Sequence, residues 1–254
     1  MFFSKVVDEM KRALTFLFVL SDSISTSAFH RFRSDWVLEI GVHKGELPRH
    51  IKGLTPYIGF EANPANIDLY NLGVLNVHNY AVVPSDFKEQ FVRFEIPVRD
   101  AKCDQMNSGK GSVLKRNPRG WGKSIQLEVP AIRVDEIAHL SKMPLDSKAG
   151  KIWVDAEGIS VTLVREMLSS YNVSSCHFEY DFKLGQYTEI LDRDLSFLSG
   201  KRFFKARSSH DQYNVVVFDR YDWLLIRDMF VLKVIDITIN CIFFFNRVRK
   251  GRHK

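Results

Sequence analysis

From Trp36 onward the chain alternates short apolar runs with helix-sized intervals. The runs are Trp36 to Ile40, Tyr57 to Phe60, Leu75 to Val83, Phe91 to Ile96, Ile125 to Val129, Lys151 to Val154, Ser175 to Phe178 and Tyr213 to Phe218. This alternation predicts βαβ units and a mainly parallel sheet with right-handed crossovers. Ahead of it, Val6, Met10, Ala13, Leu14, Leu17 and Phe18 recur every three or four residues, which predicts an amphipathic helix from Met1 to about Leu20. The apolar stretch of that helix is short, and Asp8 and Glu9 precede it, so a helix packed on the domain is expected rather than a secretory signal. Behind the last run, Trp223 to Phe245 is hydrophobic but carries Arg227, Asp228, Lys233 and Asp236. Four charges argue against a transmembrane span and for a docked helix with a solvated tail, the alternative being an interfacial helix whose tail meets anionic lipid. The expected organisation is an N-terminal helix and linker over residues 1–34, an α/β domain over 35–220, and a hydrophobic helix with a basic tail over 221–254. The stretch from Ala101 to Lys123, rich in Gly, Asn and Ser, has loop chemistry, and a loop of that length is expected to lie over a site.

At 254 residues, with 45% hydrophobic and 26% charged positions, the chain has the means to bury a core and is neither disordered nor membrane-embedded in composition. Cys103, Cys176 and Cys241 are far apart and form no C-x-x-C pair, so neither a disulfide framework nor a structural metal is expected, and a reducing, cytoplasmic setting fits. The net charge of +6 is concentrated in Arg247, Arg249, Lys250, Arg252 and Lys254, which leaves the body nearly neutral. That distribution makes a nucleic-acid partner unlikely as the main one and allows a peripheral contact of the tail with anionic membrane.

Three constellations carry candidate chemistry. The strand ending Glu39-Ile40 runs into Gly41-Val42-His43-Lys44-Gly45. A dinucleotide fingerprint wants glycine at relative positions 0, 2 and 5, where this chain has Gly41, His43 and Glu46, so NAD is disfavoured. An acidic-x-Gly-x-x-x-Gly turn instead suits the methionine end of S-adenosylmethionine, with Glu39 toward the ammonium group; His43 stands at the middle position, and His is among the residues enriched at positive φ. Next, the run Tyr57 to Phe60 ends in Glu61, where an acid can accept hydrogen bonds from both ribose hydroxyls. Third, Lys151 to Val154 ends in Asp155-Ala156-Glu157-Gly158. Ligands of open α/β sheets bind outside the carboxyl ends of the strands, so Asp155 and Glu157 are candidates to orient or deprotonate a hydroxyl nucleophile; the alternative is acidic capping of a helix N-terminus.

Together these pieces resemble the FkbM family of methyltransferases over roughly Trp36 to Phe218. The matching segments are Glu39 to Gly45, Phe60-Glu61-Ala62-Asn63-Pro64, Asn79-Tyr80-Ala81-Val82, Gly111 to Leu114, Val129 to Ile137, and Lys151 to Gly158; His43 replaces an Asn, and Ser160 stands where an acid commonly follows. The resemblance implies a Rossmann-like class I methyltransferase fold: an α/β chain with a mostly parallel seven-stranded sheet in the order 3-2-1-4-5-7-6, its last strand antiparallel, and helices on both faces. It implies S-adenosylmethionine as cofactor, bound by Glu39, Gly41, His43, Gly45, Glu61 and Asn63, with Asn79 to Ala81 near the adenine. Asp155 and Glu157 would border the transferred methyl and Glu179 the rim near the acceptor, expected to be a hydroxyl of a sugar, glycan, glycolipid or secondary metabolite. Two alternatives remain. One is an RNA 2′-O-methyltransferase using Asp155 with Lys183 and Glu189 or Lys201. The other is a catalytically inactive binding module of the same fold.

Overall fold

The computed structural model describes residues 2–31, 33–43, 55–67, 76–98, 123–156, 158–181, 195–209, 212–219 and 223–251. In chain order these form α1 (Phe2–Arg31), β1 (Trp36–Ile40), β2 (Tyr57–Phe60), a short α2 (Pro64–Ile67), β3 (Val77–His78), β4 (Ala81–Val83), β5 (Phe91–Val98) and β6 (Lys123–Arg133). They continue with α3 (Val134–Ser141), β7 (Gly150–Val154), α4 (Ser160–Ser170), β8 (Val173–Asp181), β9 (Arg202–Arg207), β10 (Gln212–Phe218) and α5 (Trp223–Gly251). Seven strands make one sheet in the order β3-β2-β1-β7-β8-β10-β9, which is 3-2-1-4-5-7-6 when only the strands of this sheet are counted. The strands β2, β1, β7 and β8 pair in parallel, and β10 runs antiparallel between β8 and β9. The α/β fold and strand order are those that the sequence resemblance implies.

Helices cover both faces, and this is why the strands read as continuous apolar runs rather than alternating ones. On one face Trp36, Leu38, Ile40, Ile152, Val154, Cys176 and Phe178 pack with Leu163, Val164 and Met167 of α4 and Val134 and Ile137 of α3. Each such side chain contributes roughly 1.5 to 3 kcal/mol on removal from water. On the other face Ala28 of α1 and Leu225 and Leu232 of α5 meet Phe204, Ala206, Val216 and Phe218, while Phe29 packs with Val37, Tyr57 and Trp153.

Three expectations change. The first helix continues to Arg31 instead of ending near Leu20. Its Ser-rich second half lacks an apolar stripe, but Ser21, Ser25 and Ala28 are small enough to bury against the sheet, and tertiary packing overrides their weak propensity. The run Leu75 to Val83 is two strands in two sheets, because the chain turns at Asn79 and Tyr80; Asn79 Nδ2 donates to the carbonyls of Glu61 (2.8 Å) and Ala62 (3.1 Å). The runs at Phe91 and Ile125 also leave the main sheet. As β5 and β6 they pair antiparallel, with β4 parallel to β6, in a separate three-stranded sheet with its own small core of Ala81, Val83, Val92, Phe94, Ile96 and Val129. The loop expected over the site falls at residues 101–122, outside the described residues.

Candidate functional site

At the carboxyl ends of β1 and β7 the chain makes two turns that press against each other. Gly41 has φ +79°, and a Cβ placed there would lie 2.0 Å from the Asp155 carbonyl oxygen, so only glycine fits. The Gly41 N–H donates to Phe60 O (2.8 Å) and the Asp155 N–H to Ile40 O (2.8 Å), which ties the ends of β2, β1 and β7 together. His43 adopts φ +45°, the left-handed conformation anticipated for this position. After Asp155, Ser160 Oγ accepts from the Ala156 N–H (3.0 Å) and donates to the Ala156 carbonyl (2.9 Å), closing the turn that opens α4.

These turns form one wall of a cavity of about 720 Å³. Glu39, Gly41, Val42 and His43 line it from β1 and its turn, Trp153 and Asp155 from β7, His177 and Glu179 from β8, and Asn214 from β10. The opposite wall is α1, through Asp22, Ser23, Thr26, Ser27 and His30. That size lies within the usual range for a small-molecule or cofactor site, about 300 to 1,000 Å³.

The lining is polar and strongly constrained. Glu39 is buried, and its Oε2 accepts from the Tyr57 hydroxyl at 2.5 Å. Asn214 Nδ2 donates to Asp22 Oδ1 at 2.6 Å, which joins β10 to α1, and Gln212 Nε2 donates to Glu179 Oε2 at 3.3 Å. His177 is buried and stacked on Trp153, with ring centroids 3.7 Å apart and planes 10° apart. Burial, helped by the neighbouring His30 charge, pulls the His177 pKa down to about 3, so its ring is neutral at physiological pH. Among the described residues neither ring nitrogen of His177 has a hydrogen-bond partner, and neither does Asn214 Oδ1. These atoms are buried behind the cavity surface, where an unpaired polar group carries a desolvation cost. Beneath the stack, Lys151 Nζ donates to His30 O (3.1 Å) and lies over the Phe29 ring, and burial lowers its pKa to about 8.

The other sequence candidates are placed differently. Glu61 stands at the end of β2 beside the turn, yet it does not line the cavity: Oε2 accepts from the His43 N–H (2.7 Å) and Oε1 from the Asn63 N–H (2.8 Å). Burial raises its pKa, outweighing these hydrogen bonds and one from Asn66. Asn63 is buried, with Oδ1 accepting from the Ala65 N–H (3.1 Å) and Nδ2 without a partner among the described residues. Asn79 fastens the end of β2, and Ala81 faces the core of the three-stranded sheet, so neither reaches the cavity. Gly45 and Glu157, with Lys183 and Glu189 of the RNA alternative, lie outside the described residues; Lys201 is exposed just before β9. Sequence reasoning missed His177, Trp153, Asn214 and the whole α1 wall. An unpaired His in a buried strand was a usable signal; the α1 wall depends on how a helix is laid across the sheet, which no local motif records.

The chain matches no known family profile and no curated protein. Among solved structures it is similar to a dimethyladenosine transferase from Plasmodium falciparum, at 13% identity over 79% of this chain and 61% of that one, with a TM-score of 0.39. It is similar also to a chain of the Pnkp1/Rnl/Hen1 RNA repair complex, at 9% identity over 78% of this chain and 42% of that one, with a TM-score of 0.36. A third likeness is to the O-methyltransferase from Bacillus cereus in complex with SAH, at 11% identity over 81% and 80% of the two chains, with a TM-score of 0.37. This chain therefore spans less than two thirds of the first two. Likenesses this distant assign it to no family.

Proposed function

We propose that the chain is an S-adenosylmethionine-dependent methyltransferase that methylates a hydroxyl of a sugar, glycan, glycolipid or related small molecule. The observation that carries this reading is the single cavity into which Glu39, the positive-φ turn at Gly41 to His43, and Asp155 all open, at the carboxyl edge of a sheet ordered 3-2-1-4-5-7-6. The donor set suits the cofactor: a buried carboxylate for an ammonium group, close backbone for the methionine chain, and a volume adequate for a nucleoside. When bound, the cofactor supplies an electrophilic sulfonium methyl.

In this reading Glu39 and Gly41, with Gly45 by its place in the motif, hold the amino-acid end. Glu61 fixes the turn through the His43 N–H and, with Asn63 and the Asn79 to Ala81 segment, supports the nucleoside side of the site from behind the cavity lining. Asp155, with Glu157 after it, orients the acceptor hydroxyl and takes its proton as the acceptor oxygen gains the methyl. The acceptor lies toward α1, where the hydroxyls of Ser23, Thr26 and Ser27 join Asp22, Asn214 and Glu179. A wall dense in short hydroxyl, amide and carboxylate groups matches a polyhydroxylated guest better than an apolar one.

Calorimetry with S-adenosylmethionine and its demethylated product tests the cofactor, and transfer of labelled methyl to sugars, glycolipids and RNA tests the acceptor. We expect binding of both cofactor forms and label on a carbohydrate hydroxyl. Asp155→Asn should retain the fold and lose turnover by about 100-fold or more. Absence of binding ends the methyltransferase reading, whereas label appearing on RNA alone ends only the carbohydrate part.

A further inference from the structure

We propose that the outer face of α5 docks on an anionic lipid bilayer, with the helix lying in the plane of the interface. A helix packed on a globular domain normally turns an apolar stripe inward and polar residues outward. The helix α5 obeys the first half: Leu225, Leu232, Ile235 and Ile239 are buried. It breaks the second half, because Trp223 (85% exposed), Ile226, Phe230 (70%), Val234, Ile237 and Phe244 (63%) face solvent. Most are separated by three or four residues and so form one continuous stripe along the helix. A stripe of that length exceeds the scattered apolar exposure of an ordinary soluble surface and marks an interaction site.

The charges say which partner fits. Both acids of α5 turn inward: Asp228 is held by Arg31 (2.5 Å) and Arg227 (2.9 Å), and Asp236 meets Arg207 (3.5 Å) and the Tyr213 hydroxyl (3.3 Å). The charged residues left exposed over residues 223–244 of α5 are the cations Arg227 and Lys233, and the sequence beyond them adds Arg247, Arg249, Lys250, Arg252 and Lys254. An apolar stripe whose exposed charges on its own helix are all positive complements a surface of acyl chains and anionic headgroups. A second copy of the same face would instead set like charges against each other. Among the described residues no helix is long and apolar enough to cross a membrane, so the helix rests on the bilayer and does not span it. Trp223, at the start of the stripe, has the amphipathic ring that settles at headgroup level.

The test is flotation of the full chain with vesicles of phosphatidylcholine alone or mixed with phosphatidylserine, at low and high salt. We expect binding to the anionic vesicles that weakens with salt, and a blue shift of the emission lost in Trp223→Phe. Phe230→Ser with Ile237→Ser, shown by circular dichroism to be folded, should weaken partition at least about tenfold. No binding to anionic vesicles overturns the proposal, and so does equal binding by the folded double variant. Vesicle-free sedimentation showing a dimer that the same double variant abolishes also overturns it, because a second copy would then cover the stripe. None of these readouts involves methyl transfer.

Discussion

Gly41 is held between two demands that meet at one atom. Its φ of +79° disfavours any side chain, and the Asp155 carbonyl occupies the place a Cβ would take. Gly41→Ala is therefore expected to cost at least about 1 to 3 kcal/mol and to separate the two turns, seen as a lower thermal midpoint and lost ligand binding. His177 gives a second residue-scale prediction, about pH. Its pKa in the folded chain, about 3, lies below the ordinary 6.5, so the unfolded chain binds a proton more readily between those values. The stabilising contribution is complete above 6.5 and is lost as pH falls toward about 3. His177→Leu should remove that part of the acid sensitivity, which urea midpoints at neutral pH and midway through the window would show as a smaller difference than in the wild type.

Elements differ in how plainly the sequence announces them. The strands β1, β2, β7 and β10 are buried on both faces, and a run buried on both faces is mainly apolar, so each stands out from its flanks. In β8 only the Cys176 to Phe178 stretch shows, set between Ser174, Ser175 and Glu179. The edge strand β9, Arg202–Arg207, escaped because three of its six residues are Arg or Lys and only part of it is covered. The division of Leu75 to Val83 between two sheets rests on Asn79 gripping carbonyls beyond the end of β2, a long-range tie that leaves the apolar pattern unbroken. The turn residues Glu39, Gly41, His43 and Asp155 were legible because their chemistry is local in sequence. Asn79 and Ala81, named by resemblance, make contacts that no local motif foretells, Asn79 with the carbonyls after β2 and Ala81 with the core of the three-stranded sheet. Helix α1 was half legible: its apolar first half has helical period, while its serines reveal their purpose only where the sheet comes close. Ser25 makes a fully buried contact there, its hydroxyl donating to Asp22 O (2.8 Å). Ser25→Leu should overpack that contact, at a cost of about 1 to 3 kcal/mol in chemical denaturation, and push the cavity wall outward.

At the scale of the molecule, the helix before the first strand and the helix after the last are joined by an ion pair. Asp228, 5% exposed, bonds Arg31 at 2.5 Å across 197 positions of sequence. Arg31→Leu leaves that carboxylate with Arg227 as its remaining cation and should lower stability by about 1 to 3 kcal/mol, less than for a pair with no second partner. Comparing unfolding midpoints of the single variant with those of Arg31→Leu/Asp228→Asn would show the loss partly recovered, since no buried charge then remains.

The same placement of α1 bears on how the protein comes into being. Asn214 meets Asp22 across 192 positions, so the wall of the cavity rests on strands that a ribosome delivers last. During synthesis α1 must wait, its sheet-facing serines and Phe29 uncovered, while nearly everything it will lean on is still unmade. Chains halted before β10 should thus display α1 to proteases that spare it in the finished protein, and assembly of the pocket should be among the latest events of folding.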